Sequence, residues 1–252
     1  MDESGRSVFT GGLMATIAAP RIQSPGATPI APQWHTALLV ALFLGLAFSG
    51  AFFQRHARSE PGGLQQNPHL IPLYLSLIAM EWGLVYYVWK GLRRTGTKLS
   101  ELIGGKWTSV KDVLVDAGLA IGLWTTWKLV ETAWTRWLGT GHAASIQTLL
   151  PQRALEILLW IGVSMSAGIC EELVFRGYFQ RQFHAYSHSL WVAWVLQALL
   201  FGISHGYQGV EACLGIAAYG ALFGLLAIWR GSLRPGMIAH AGTDILSGIF
   251  GI

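Results

Sequence analysis

Charged side chains are scarce in this sequence. Only 12% of its 252 residues are Asp, Glu, Lys or Arg, against about 25% in a typical soluble domain. That leaves too little polar surface for a water-soluble enzyme. With 52% apolar residues the chain is not an intrinsically disordered one either. The net charge of +4 comes from 17 basic residues spread along the chain rather than gathered in a patch, so no nucleic-acid partner is expected. Cysteine is almost missing. Cys170 and Cys213 cannot form a disulfide framework or a four-thiolate zinc site. Each falls inside an apolar run, where a small buried hydrophobe is the plain reading. These absences leave one class, an all-α polytopic transmembrane helical bundle.

A bilayer core requires about 20 mostly apolar residues per helix. Runs of that kind lie at 34–53, 70–90, 113–135, 154–178, 190–206, 209–229 and 235–252, which gives about seven to eight spans. The runs are long and unbroken, unlike the alternating ten-residue segments of a barrel. Residues 1–33 are rich in Gly, Pro, Ala and Thr and read as a flexible leader. Asp2 and Glu3 at their front, with no apolar stretch behind, argue against a cleaved signal peptide. Residues 34–150 form an N-terminal set of helices and 151–252 a second unit.

Basic residues orient the chain. With the N-terminus in the cytoplasm, the inner segments carry Arg6, Arg21, Lys90, Arg93, Arg94, Lys98, Lys106, Lys111, Arg176, Arg181, Arg230 and Arg234. The outer segments carry only Arg55, Arg58, Arg136 and Arg153. Tryptophans near span ends (Trp34, Trp89, Trp134, Trp137, Trp191 and Trp229) suit an interfacial belt. The expected location is the bacterial inner membrane, with the bilayer as an obligate partner. Small residues four apart, at Gly118 and Gly122, Gly162 and Ser166, Gly220 and Gly224, predict close helix packing.

Polar groups inside spans demand a reason, because a charge at bilayer depth costs about 2.5–3.5 kcal/mol on insertion scales. The densest cluster is Cys170-Glu171-Glu172-Leu173-Val174-Phe175-Arg176. Glu172 and Arg176, four apart, can pair on one helix face; this reads as a structural ion pair near a helix end. Glu171 has no basic residue three or four positions away, so its partner must come from another helix or from a wet cavity. That makes it the stronger functional candidate. Phe201 and His205 share a face of the fifth run, and His240 and Asp244 a face of the seventh. A lone histidine in an apolar helix is commonly structural. Two of them beside an unpaired carboxylate form the usual equipment for activating water near neutral pH. Elsewhere the polar residues have plainer readings: Glu81 and Lys128, at comparable depth, predict an ion pair; Asp116 and Glu156 sit close enough to span ends to meet water; His184 and His188 fall in a short solvated loop.

Glu171-Glu172-x-x-x-Arg176, Phe201-x-x-x-His205 and His240-x-x-x-Asp244, in that order and each on its own apolar run, resemble the three motifs of the CPBP intramembrane proteases. That family includes type II CAAX prenyl proteases and bacteriocin-processing or self-immunity proteins. The resemblance covers residues 150–252. The family commonly has eight spans, one more than the runs here, and residues 1–150 carry no family signature.

The resemblance implies hydrolysis of peptide bonds in a membrane-associated or prenylated C-terminal peptide or protein substrate. Glu171 would be the base that activates water, with Glu172 and Arg176 in support. His205 would orient the water or stabilise the oxyanion. His240 and Asp244 would complete the site, with Phe201 as a supporting residue. Metal remains open at this level. The preferred reading has no cofactor; the alternative is zinc held by His205, His240 and Asp244, a three-ligand set with one position left for water. A non-catalytic immunity or scaffold protein using the same cavity is the rival to an enzyme.

Overall fold

The computed structural model describes residues 28–59, 69–138 and 149–251; residues 1–27 of the expected leader lie outside the described residues. The elements are α1 (Gln33–Ser59), α2 (Leu70–Arg93), the short α3 (Leu99–Ile103), α4 (Val110–Leu138), α5 (Ala154–Glu171), a π-helical segment (Glu172–Phe179), α6 (Gln180–Ser187), α7 (Leu190–Ser204), a 3₁₀ turn (Gly206–Gln208), α8 (Val210–Arg230) and α9 (Arg234–Phe250). No strand occurs among the described residues. The expected all-α bundle is what forms.

Among the described residues, five stretches are long and apolar enough to cross a membrane: Gln33–Phe52, Leu70–Arg93, Val110–Trp137, Ala154–Ser187 and Val210–Arg230. The protein is an integral membrane protein. Two of the seven expected spans fall short. The 15 residues of α7 reach about 22 Å and the 17 of α9 about 26 Å, below the ~30 Å hydrocarbon core. Leu38, Leu42 and Leu46 of α1 and Val192, Val195 and Leu199 of α7 are exposed; residues spaced by three or four form one apolar stripe per helix, suited to lipid.

The fourth run does not stop at residue 178. Helix continues from Ala154 to Ser187, with no proline to end it. The polar residues of α6 are buried against the start of α1 rather than solvated. Gln182 accepts from Ile30 N at 2.7 Å and donates to Ala31 O at 3.0 Å and Thr36 Oγ1 at 2.6 Å. Tyr178 Oη bonds His35 Nδ1 at 2.9 Å. His184, expected in a solvated loop, is therefore a buried helical residue, and His188 is the left-handed cap that follows. Asp116 and Glu156 are likewise buried instead of meeting water. Asp116 takes Arg230 Nε at 2.7 Å and Trp107 Nε1 at 2.8 Å, and Glu156 accepts the Gln152 and Arg153 amides at the start of α5.

Small residues set close helix approaches at the expected pair Gly220 and Gly224, but not at Gly118 and Gly122. Gly118 and Gly122 face open space, with nothing within 4 Å of a Cβ at either. At Gly168 a Cβ would stand 2.7 Å from Ala241 N and 2.9 Å from Met237 O, so this glycine seats α5 on α9. Gly220 admits Phe201 and Arg176, where a Cβ would meet Phe201 Cδ1 at 2.8 Å and Arg176 Nη2 at 3.1 Å. At the centre, Phe43, Phe175, Phe179 and Phe201 pack as tilted and edge-on rings with centroids 4.9–5.9 Å apart, in the range aromatic pairs prefer.

Candidate active site

Glu172 opens the π-helical segment and is 1% exposed. Its Oε1 accepts from Arg176 Nη1 at 2.9 Å and lies 3.2 Å from His240 Nδ1. Arg176 also donates from Nη2 to Gly220 O at 3.2 Å. Its guanidinium carbon lies 4.2 Å from the Phe201 ring centroid and 5.2 Å from that of Phe223, in reach of cation–π attraction. The Glu172–Arg176 pairing is as the i, i+4 spacing predicts, but its position is not. It lies in the middle of one continuous helix, fully buried, rather than near a helix end.

Glu171 points elsewhere, as 100° per residue requires. Its side chain keeps 16% exposure and finds its partner across the bundle: His240 Nε2 is 3.7 Å from Glu171 Oε2. The same nitrogen is 3.8 Å from Asp244 Oδ2, whose side chain is 34% exposed. His240 thus bridges the two glutamates, with Nδ1 on the buried one and Nε2 toward the exposed one. Phe201 and Phe223 flank its ring, at centroid distances of 6.0 and 5.4 Å.

His205 departs from the expected helical position. α7 ends at Ser204, and His205 caps it with φ −97° and ψ 20°. Its Nδ1 lies 2.9 Å from Phe201 O. A carbonyl only accepts, so Nδ1 carries the proton and Nε2 presents a lone pair. His205 makes no hydrogen bond to Glu171 or His240 among the described residues; Phe201 lies between, 5.1 Å from the His205 ring centroid.

Two residues that sequence reasoning missed belong to this cluster. Glu81 does not pair with Lys128, because Lys128 turns along its own helix to Glu131 at 2.7 Å. Glu81 is buried instead, with its carboxyl facing that of Glu171. Its signal was the position itself, mid-span on a helix with no basic residue three or four places away. Tyr207 follows His205 in the 3₁₀ turn. It accepts from Gln208 Nε2 at 2.9 Å and lies within electrostatic reach of Glu171, Asp244 and Glu81. It stays a neutral O–H donor.

The alternative zinc set, His205, His240 and Asp244, is not gathered by this geometry. Phe201 packs against both His205 and His240, at centroid distances of 5.1 and 6.0 Å, and no three His, Cys, Asp or Glu side chains among the described residues converge to hold a metal ion. As placed, the donors do not fit zinc, and no step is derived through it.

The fold and site define a polytopic helical membrane protein with a carboxylate–histidine cluster buried between its helices. Residues 153–246 match the family model described as type II CAAX prenyl endopeptidase, Rce1-like, in agreement with the resemblance of the three motifs. The matched stretch holds all of them and supports a protease-type enzyme. No curated protein and no solved structure matches the chain.

Proposed function

We propose that the protein is an intramembrane endopeptidase that cleaves a membrane-associated or prenylated C-terminal peptide with water activated by Glu171. The observation that carries the reading is the division between two adjacent glutamates. Glu172 is locked by Arg176 and His240 and is out of reach of substrate. Glu171 keeps partial exposure, and its Oε2 takes no hydrogen bond. In the reaction, Glu171 removes a proton from water while the water oxygen attacks the scissile carbonyl carbon. The carbonyl π pair moves to oxygen. His205, with its Nε2 lone pair, orients the water, and a neutral donor such as Tyr207 serves the developing oxyanion. When the intermediate collapses, the C–N bond breaks and the proton on Glu171 passes to the leaving amine. His240 and Asp244 hold the base in place. Peptide substrate and bilayer are the partners, no cofactor takes part, and the enzyme works in the bacterial inner membrane with its N-terminus in the cytoplasm.

The test is cleavage of a peptide library, prenylated and unprenylated, by protein purified in detergent. Wild type should cleave and Glu171→Gln should not. Equal cleavage by both removes the base. Peptide binding without cleavage in wild type would favour an immunity or scaffold protein instead.

A further inference from the structure

Glu81 has no part in the reaction outlined above, yet α2 delivers it to the base. It is 7% exposed. Its carboxyl meets that of Glu171, and the other groups facing it are His240 and Asp244 of α9, the Cys170 thiol and Tyr207. Oε2 of Glu81 and Oε2 of Glu171 are both buried and take no hydrogen bond from any donor. The one lysine at comparable depth is committed to Glu131. A buried carboxyl is costly, the imidazole of His240 is already shared among Glu171, Glu172 and Asp244, and two carboxylates in contact repel one another. They attract only when one proton lies between them, one group donating and the other accepting.

We infer that Glu81 is a positioning residue for the base: its carboxyl donates a hydrogen bond to the carboxylate of Glu171 and fixes its orientation, leaving the remaining lone pairs of Glu171 for water. The inference rests on Glu171 being the base. It gives a reason for a carboxylic acid in the middle of α2, and it explains how Glu171 is held when no residue of its own helix can reach it. A base fixed before substrate arrives loses no freedom in the transition state.

The experiment compares Glu81→Gln, which keeps a donor of the same shape, with Glu81→Leu, which keeps size and removes the donor. Cleavage kinetics are combined with infrared spectroscopy of the protonated-carboxyl C=O stretch. Glu81→Leu should lower kcat by about 10- to 100-fold, the worth of one hydrogen bond in the transition state, with KM little changed. Glu81→Gln should recover at least about tenfold of that loss. In wild type a protonated-carboxyl band should be present; it should vanish in Glu81→Gln and shift in Glu171→Gln. Unchanged kcat in Glu81→Leu, or an equal loss in Glu81→Gln, overturns the inference. If wild type turns over no peptide, the proposed reaction fails, but the band still reads the pair: its presence in wild type and loss in Glu81→Gln upholds the carboxyl contact, and its absence from wild type overturns it. Should Glu81→Leu not fold, the Gln variant and the band carry the same decision.

Discussion

Replacing Glu172 by glutamine removes one charge from a buried pair and leaves the other in place. Glu172 and Arg176 have side-chain exposures of 1% and 0%. Breaking such a pair by removing one partner costs about 3–5 kcal/mol, because the surviving ion is buried and unpaired. Two features place the expected loss at the lower end. Arg176 keeps the Gly220 carbonyl and the rings of Phe201 and Phe223. A cavity of about 110 Å³ beside Arg176, lined also by Gln180, Arg181 and Ser232, has room for water near the cation. A loss of about 3 kcal/mol is a roughly 100-fold change in the folding equilibrium. Tryptophan fluorescence in detergent, followed through denaturant, would report it. Adding Arg176→Met to Glu172→Gln should recover most of the stability, since an apolar side chain then occupies the site of the uncompensated cation. Glu171→Gln should cost little, because that group pairs only loosely with His240 at 3.7 Å. Wild-type stability in Glu172→Gln, or a double variant less stable than the single one, would refute the reasoning.

Gly168→Ala should cost about 1–3 kcal/mol through overpacking and lower cleavage by driving α9, with His240, away from α5; Gly118→Ala, in open space, should be neutral or stabilising, and thermal unfolding of both variants makes the comparison. His205→Ala should lower kcat by about 10²–10³, the worth of one preorganised partner. Chelators should leave wild-type cleavage unchanged, while stoichiometric zinc lost together with activity in His205→Ala and Asp244→Ala would decide for the metal reading. Lys106→Cys, in the exposed turn after α3, should be shielded from an impermeant thiol reagent added outside intact cells; labelling there would reverse the basic-residue orientation.

The helices were legible because membrane helices announce themselves by length and apolar content, and the motif residues because charge in such a helix needs a cause. What lay beyond the sequence was decided by contacts between helices. Lys128 could reach either Glu81 across the bundle or Glu131 three residues on; spacing along α4 permits the second, and nothing in a one-dimensional pattern says which wins. Depth alone therefore pairs Glu81 with Lys128, whereas the packing of α2 on α5 sets it against Glu171. The solvated reading of His184 failed for a related cause. Polar residues at 180–187 look like a loop, yet Gln182 is buried by the backbone of Ile30 and Ala31, some 150 positions away. The break of α7 before His205 was hidden because Phe201 and His205 keep their helical spacing while the last backbone turn does not.

His240 reaches two glutamates at once only because the start of α9 is fixed independently of the site. α8 ends on Gly231 at φ 64°, in the left-handed region that favours glycine. Leu233 N then donates to Ile103 O at 2.8 Å, tying the turn to the end of α3. Gly104, also at positive φ, lies so close that a Cβ would strike the Gly231 carbonyl. Pro235 enters the first turn of α9, where its missing N–H is no loss and its φ already suits a helix. From that anchored start, six residues carry the chain from Arg234 to His240, about 9 Å along the axis. There Gly168 and Gly236 allow close approach: a Cβ at Gly236 would come 3.1 Å from Glu172 Oε2. The short α3, outside every span, thus takes part in setting the depth of a histidine inside the bundle. The contact also explains how a helix too short to cross the bilayer keeps a fixed register against one that does.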